Sequence, residues 1–171
     1  LWKYYYISGE LMSQGEFEHG YRNNEWIYFY KNKDIQQKGK YINGVPNGLW
    51  TWWYENGKIH REEGFRKGKE DGSVIEYDTI GNILTQGEFV DGIKDGKWYY
   101  KVNDHTEEGE YRDDVRHGLW KFTYKDGQIA FEGEYFNGLP IGKHKYYYPN
   151  GQVQWEGKYE KGMKEGEWKK Y

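Results

Sequence analysis

One aromatic and two glycines recur in fixed phase from end to end of the chain. The aromatic slot reads Trp2, Trp26, Trp50, Val74, Trp98, Trp120, His144 and Trp168, at intervals of 24, 24, 24, 24, 22, 24 and 24 residues. The slot two places ahead of it reads Asn24, Gly48, Gly72, Gly96, Gly118, Gly142 and Gly166. A further glycine slot reads Gly20, Gly44, Gly68, Gly92, Asp114, Gly138 and Gly162. Three registers in phase over seven copies define a tandem repeat. A unit this short buries its apolar face by stacking on its neighbours, so the repeat constrains the fold more than any single motif does.

Each copy reads as a β-hairpin. Trp50 to Glu55 alternates rings with other residues, the period of a strand. Asn56-Gly57 is a strong two-residue hairpin signal whose turn positions both take positive φ. Lys58 onward is the return strand, and Asn43-Gly44 to Asn47-Gly48 is the longer link between hairpins. Helix is opposed by the glycine density and by the ring-rich alternation. The prediction is an all-β fold without significant helix: an elongated single-layer antiparallel sheet, a solenoid-like ribbon of hairpins. Fifteen strands at about 4.8 Å spacing would span on the order of 70 Å before twist. Residues 1–171 form a single repeat domain of seven hairpins plus the first strand of an eighth. Both ends fall inside a repeat, which suggests a piece of a longer chain.

A two-residue turn fixes which residues face each other. The turns at Ser8-Gly9, Ile80-Gly81, Asp126-Gly127 and Asn150-Gly151 pair Trp2 with Gly15, Val74 with Gly87, Trp120 with Gly133 and His144 with Gly157. Gly39 and Gly109 hold the corresponding slot opposite Trp26 and Trp98. A ring facing a strand glycine covers backbone that has no side chain of its own, which explains a glycine in mid-strand. The 22-residue interval after Trp98 fits the same scheme, with Asn103-Asp104 as the turn. One residue is then lost from each strand, so facing survives. The third unit departs, with Glu63 in the strand-glycine slot and Val74, Glu76 and Asp78 in place of aromatics. A β-bulge or local register change is expected between about Glu63 and Asp78.

Gly48-Leu49-Trp50-Thr51-Trp52-Trp53-Tyr54-Glu55-Asn56-Gly57 and Gly133-Glu134-Tyr135-Phe136-Asn137-Gly138 resemble MORN repeats, most closely the bacterial variant in proteins often described as antitoxin-like. The resemblance implies an extended sheet of hairpins serving as a scaffold or interaction module, with membrane-lipid association credited to some members. The departures at Asn24, Asp114, Val74 and His144 fall on scaffold positions and bear on local geometry.

Composition narrows the function classes. Only 36% of residues are hydrophobic, yet 20% are aromatic, which suits a thin sheet whose rings cover one another. The 25 basic and 28 acidic residues are interspersed along the chain, so nothing calls for nucleic acid or an anionic membrane surface. No apolar run is long enough for a membrane helix, and there is no Cys for disulfides or thiolate metal sites. The chain reads as soluble, in the cytoplasm or exported from a bacterium, without an initiator Met or signal peptide in view.

No residue set points to catalysis. The histidines share no register: His19 and His117 lie in links, His60 and His105 on return strands, His144 in the Trp slot. That pattern opposes a metal site. Carboxylates such as Glu16 with Glu18, and Glu107-Glu108 with Glu110, are spread over strands with no unique pair for acid–base work. There is no Ser-His-Asp elbow or phosphate loop. The expectation is no enzyme activity and no cofactor.

Strand periodicity separates two faces. Trp50, Trp52 and Tyr54 share one with Ile59 and the strand glycine, as do Trp26, Tyr28, Tyr30 and Ile35, and Trp120, Phe122, Tyr124 and Ile129. This is the packing face. The other carries a ladder three residues past the Trp slot: Tyr5, Phe29, Trp53, Tyr77, Tyr147 and Tyr171, interrupted by Lys101 and Thr123. The ladder is the candidate partner-binding surface, or further ring-on-ring stabilisation. The first functional expectation is a scaffold binding another protein. The alternative is cell-surface glycan or cell-wall binding through the ladder, with lipid association opposed by the charge balance. The end strands are exposed and open to further repeats or a self-copy.

Overall fold

The computed structural model describes residues 1–171 and contains no helix. Its strands are β1 (Trp2–Tyr5), β2 (Leu11–Glu18), β3 (Tyr21–Phe29), β4 (Ile35–Ile42), β5 (Val45–Trp53), β6 (Ile59–Arg66), β7 (Lys69–Tyr77), β8 (Ile83–Val90), β9 (Ile93–Val102), β10 (His105–Arg112), β11 (Val115–Tyr124), β12 (Ile129–Phe136), β13 (Leu139–Tyr147), β14 (Val153–Glu160) and β15 (Met163–Lys170). They follow one another in sequence order in one open antiparallel sheet, the all-β single-layer arrangement the repeat predicts. The chain divides into two compact units. Unit 1 is Leu1–Ile83 with Phe89–Gly92, and unit 2 is Leu84–Glu88 with Ile93–Tyr171.

The two kinds of turn exchange the roles expected of them. Asn43-Gly44 is not part of a long link but a tight two-residue turn, with φ of 50° and 82°. Ile42 stands opposite Val45 across it. Positive φ at both central positions recurs at His19-Gly20, Lys67-Gly68, Asp91-Gly92, Asp113-Asp114, Asn137-Gly138 and Lys161-Gly162. This is the turn whose twist matches paired strands. Asn24 and Asp114 take φ of 59° and 64°, so each reproduces the glycine it replaces, as short polar side chains can.

Asn56-Gly57, by contrast, belongs to a three-residue loop in which only Gly57 has positive φ. The Gly57 amide donates to the Tyr54 carbonyl, and the Tyr54 amide to that of Lys58, each at 2.9 Å. Asn56 is favoured for another reason: its Oδ1 accepts from the Lys58 amide at 3.0 Å. Asp126 and Asn150 do the same for Gln128 and Gln152. The additional loop residue is absorbed by a bulge, since Trp52 stands opposite Arg61 and Trp53 opposite Ile59. Beyond the bulge the register equals that of a two-residue turn. Trp2–Gly15, Trp120–Gly133 and His144–Gly157 therefore pair as predicted, and Trp98–Gly109 does so around the expected two-residue turn at Asn103-Asp104, without a bulge. Ile35, Ile59 and Ile129 do not keep the packing-face assignment; they stand opposite Phe29, Trp53 and Thr123.

The ring lying on each strand glycine is not its paired partner. A methyl placed on Gly15 or Gly39 would overlap the ring of Trp26 or Trp50, eleven residues on, in the next hairpin. The same holds for Gly87 with Trp98, Gly109 with Trp120, Gly133 with His144 and Gly157 with Trp168. A bulge between the hairpins, as where Lys38 pairs Thr51 but Lys40 pairs Asn47, swings the ring back over the preceding strand. The indole N–H then donates to the carbonyl after the glycine. Trp26 reaches Glu16 at 3.0 Å, Trp50 reaches Lys40 at 3.2 Å and Trp120 reaches Glu110 at 3.1 Å. Trp26 and Trp120 are 0% exposed.

Two further contacts tie hairpins to their neighbours. The Gly44 and Gly68 turn amides donate to the Arg22 and Pro46 carbonyls at 2.8 and 2.9 Å. In addition, a tyrosine hydroxyl donates to the carbonyl of the ladder residue one repeat on: Tyr30 to Trp53 at 2.6 Å, Tyr54 to Tyr77 at 2.7 Å and Tyr124 to Tyr147 at 2.9 Å. Tyr54→Phe removes one such bond and leaves the packing unchanged. The expected loss is about 1 kcal/mol in urea unfolding.

The third repeat carries the local register change expected of it. Trp50 stands opposite Glu63 and Glu63 opposite Val74, so the bulge falls between Glu63 and Phe65, one place later than the bulges that span the strand glycine at Gly15 and Gly39. Glu63 fills the glycine slot, and Val74, eleven residues on, fills the ring slot. A small side chain at 74 leaves room for a large one at 63. Glu63 is 5% exposed and takes Nε and Nη2 of Arg61 at 3.1 and 2.6 Å.

Candidate functional site

In unit 1 the ladder residues Phe29, Trp53 and Tyr77 are half-buried and Tyr5 is 57% exposed. They do not stack on one another. Each carbonyl of Phe29, Trp53 and Tyr77 is held by a tyrosine clamp, so the spacing of the rings is set by the backbone. The Tyr77 hydroxyl donates to Glu62 at 3.3 Å. In unit 2, Tyr147 donates to Glu132 at 2.5 Å and Tyr171 to Glu156 at 2.9 Å. Burial, reinforced by the Glu132 carboxylate, pushes the Tyr147 phenol up to about 12, so it remains a donor at neutral pH. The hydrogen bond to Glu156 raises Tyr171 likewise.

The row beside the ladder separates the two units. In unit 2 it alternates in sign from strand to strand: Glu108 faces Lys121, Lys121 faces Glu132, and Glu132 faces Lys145. Lys145 then faces Glu156, and Glu156 faces Lys169. Opposite charges placed directly across strands stabilise a solvated face. In unit 1 the same row runs through Ile27, Lys38, Thr51, Glu62 and Ile75. Ile27 lies beside Phe29 and Ile75 beside Tyr77, while Thr51 takes that place beside Trp53.

The packing face carries a feature that the strand pattern alone did not show. Aromatics two places past the strand glycine interleave with the slot rings. Phe17 meets Trp26 edge-on at 5.2 Å, Tyr41 meets Trp50 at 4.9 Å, and Tyr111 meets Trp120 at 5.2 Å. The Gly-x-Phe/Tyr spacing was legible as a signal for them. A cation four residues before the slot lies over these rings: Arg22 is 4.6 Å from Trp26, Lys94 4.5 Å from Trp98, and Arg116 4.1 Å from Trp120. Glu107 holds Arg116 at 2.8 Å. Burial raises the phenols of Tyr28 and Tyr100 in these clusters.

The histidines stay apart. His60 lies 4.5 Å from the Tyr54 ring and 3.6 Å from Glu76. His105 bonds Asp104 at 2.8 Å, and that bond first, then Glu107, raises its pKa. His144 takes a tryptophan's place on Gly133, with Nε2 3.0 Å from the Glu134 carbonyl. No group of three or more His, Asp or Glu is placed to hold a metal ion. No helix is long and apolar enough to cross a membrane.

These features define a tandem β-hairpin repeat protein whose hairpins are bonded one to the next. More particularly, the family model described as MORN repeat variant matches residues 46–67, 116–137 and 140–161, and the chain carries MORN repeats of that kind. Each match runs from the residue four before the ring slot to the first residue of the next two-residue turn. A single hairpin is thus the family's unit. MORN repeats are a non-catalytic repeat type associated with protein and membrane-lipid interactions. A search of curated proteins gives no match.

Proposed function

We propose that the chain is a non-enzymatic scaffold that binds another protein through the ladder face of unit 1. The observation that supports this is the contrast between the units. Unit 2 neutralises its ladder face with an alternating charge row, whereas unit 1 breaks that alternation, with Ile27 beside Phe29, Thr51 beside Trp53 and Ile75 beside Tyr77, the three rings at spacings fixed by the clamps. Half-exposed rings on a rigid frame are suited to a protein interface, where aromatic anchors carry much of the affinity.

The test is a triple variant, Phe29→Ala with Trp53→Ala and Tyr77→Ala. Circular dichroism confirms its fold, and it is compared with the parent in crosslinking from the native host and in titration with the captured partner. At least about tenfold weaker binding is expected, since losing three ring anchors costs more than about 1.4 kcal/mol. Unchanged partner binding by the variant overturns the reading. So does binding of cell-wall fragments or anionic liposomes with no protein captured.

A further inference from the structure

The Trp26 cluster in unit 1 and the Trp98 and Trp120 clusters in unit 2 are three-ring cages, each filled by the chain's own cation. Around Arg22 stand Trp26, Tyr28 and Tyr41, at 4.6, 6.0 and 5.5 Å. Around Lys94 stand Trp98, Tyr100 and Tyr111, at 4.5, 5.3 and 5.1 Å. At Trp50, however, the residue four places earlier is Pro46, which carries no charge.

The two rings beside Trp50 stand at the distances found from the tryptophan in the filled cages. Trp50 lies 5.9 Å from Trp52 at a tilt of 33°, and 6.4 Å from Phe65 at 76°. The filled cage at Trp26 has 6.1 Å at 34° and 6.3 Å at 87°. The one at Trp98 has 5.7 Å at 21° and 5.9 Å at 81°. Trp50 is buried, while Trp52 and Phe65 remain half-exposed, 6.4 Å apart. The remaining cage at a proline, by Pro140, has His144 instead of tryptophan and lacks this construction.

We infer that the Trp50–Trp52–Phe65 cage is a binding site for a cationic side chain, the guanidinium or ammonium of a basic residue on a partner polypeptide. The inference rests on the chain being a protein-binding scaffold, but places contact on the face opposite the ladder. Three features argue for a cation. Ring faces in this arrangement attract one through their quadrupoles, most strongly at Trp. Every tryptophan cage with rings at those distances described above already holds one. The surrounding charge also favours one: Arg61 is neutralised by Glu63 at 2.6 Å and Glu76 at 3.7 Å, and Glu70 stands opposite Phe65. Gln37, opposite Trp52, occupies the repeat position from which Glu107 holds Arg116, and offers an amide oxygen there.

The probes are acetyl-Gly-Arg-Gly-amide, its lysine and citrulline counterparts, and tetramethylammonium chloride. The readout is the Trp52 indole N–H resonance, identified by Trp52→Phe in nitrogen-15 spectra. The arginine or lysine peptide is expected to shift it saturably, and citrulline, the same shape without charge, to bind at least about tenfold more weakly. Pro46→Arg installs the cation its sibling repeats carry. It is expected to abolish the titration while leaving the thermal midpoint equal or higher, so loss of binding is not loss of fold. Equal response to citrulline, or undiminished binding by Pro46→Arg, overturns the inference. Response to tetramethylammonium with none to either basic peptide also overturns it, in favour of a small-molecule ammonium site. The ladder triple variant leaves this titration intact, so the two proposals fail separately.

Discussion

Gly39→Ala is expected to destabilise unit 1 by about 3 kcal/mol or more, the upper end of overpacking effects, lowering the thermal midpoint by roughly 10 °C. The added methyl would lie within the Trp50 ring, which is buried and pinned by its indole bond to the Lys40 carbonyl. Gly57→Ala is the control. Gly57 has φ of 79° and nothing within reach of a new methyl, so only left-handed strain is added, about 1 kcal/mol. The two substitutions look alike in sequence and differ threefold in expected cost. The third repeat supplies a coupling test as well, because it pairs a large residue at 63 with a small one at 74. In a Trp50→Val background, Gly39→Ala should add less than about 1 kcal/mol. Full additivity of the two changes would show that the ring is not what excludes a side chain at 39.

Arg61→Met should cost about 2–3 kcal/mol in urea unfolding. It strands the Glu63 carboxylate, which is 5% exposed, without the guanidinium that donates to both its oxygens. Removing one partner of a buried pair leaves an uncompensated charge, and that is the larger part of the loss. The value lies at or below the range for fully buried pairs because the Arg61 side chain is 34% exposed. Adding Glu63→Gln removes the stranded charge at nearly constant volume, so the double variant should regain most of the stability. A double variant no more stable than Arg61→Met would mean that the arginine acts through packing of its stem.

Much of this architecture was legible because the repeat supplies seven readings of one pattern. The Trp slot, the strand glycine and the two-residue deletion after Trp98 together yield the fifteen strands and the cross-strand pairs. The turn chemistry was legible only in part. Asn43-Gly44 and Asn56-Gly57 are the same dipeptide, and a three-residue loop followed by a one-residue bulge leaves the same register as a tight turn. Pairing alone therefore does not distinguish them. The ladder was legible as a period-two stripe. Its division into a half with interrupted charge and a charge-paired half was visible only once the register placed Glu108, Lys121, Glu132, Lys145, Glu156 and Lys169 in one row.

The sequence by itself determined the strand count, the pairing within hairpins and the alternation of faces up to each bulge, because each follows from local periodicity and from turn spacing along the chain. The tertiary structure alone decided which ring covers which glycine. That contact joins residues eleven apart across a bulge, and a bulge changes the direction of a side chain without changing the residue count that sequence reasoning uses. The same bulge gathers Trp50, Trp52 and Phe65 around the place where other repeats hold a cation. Three rings from two strands converge there because of backbone geometry, and no motif in the one-dimensional pattern marks the cage.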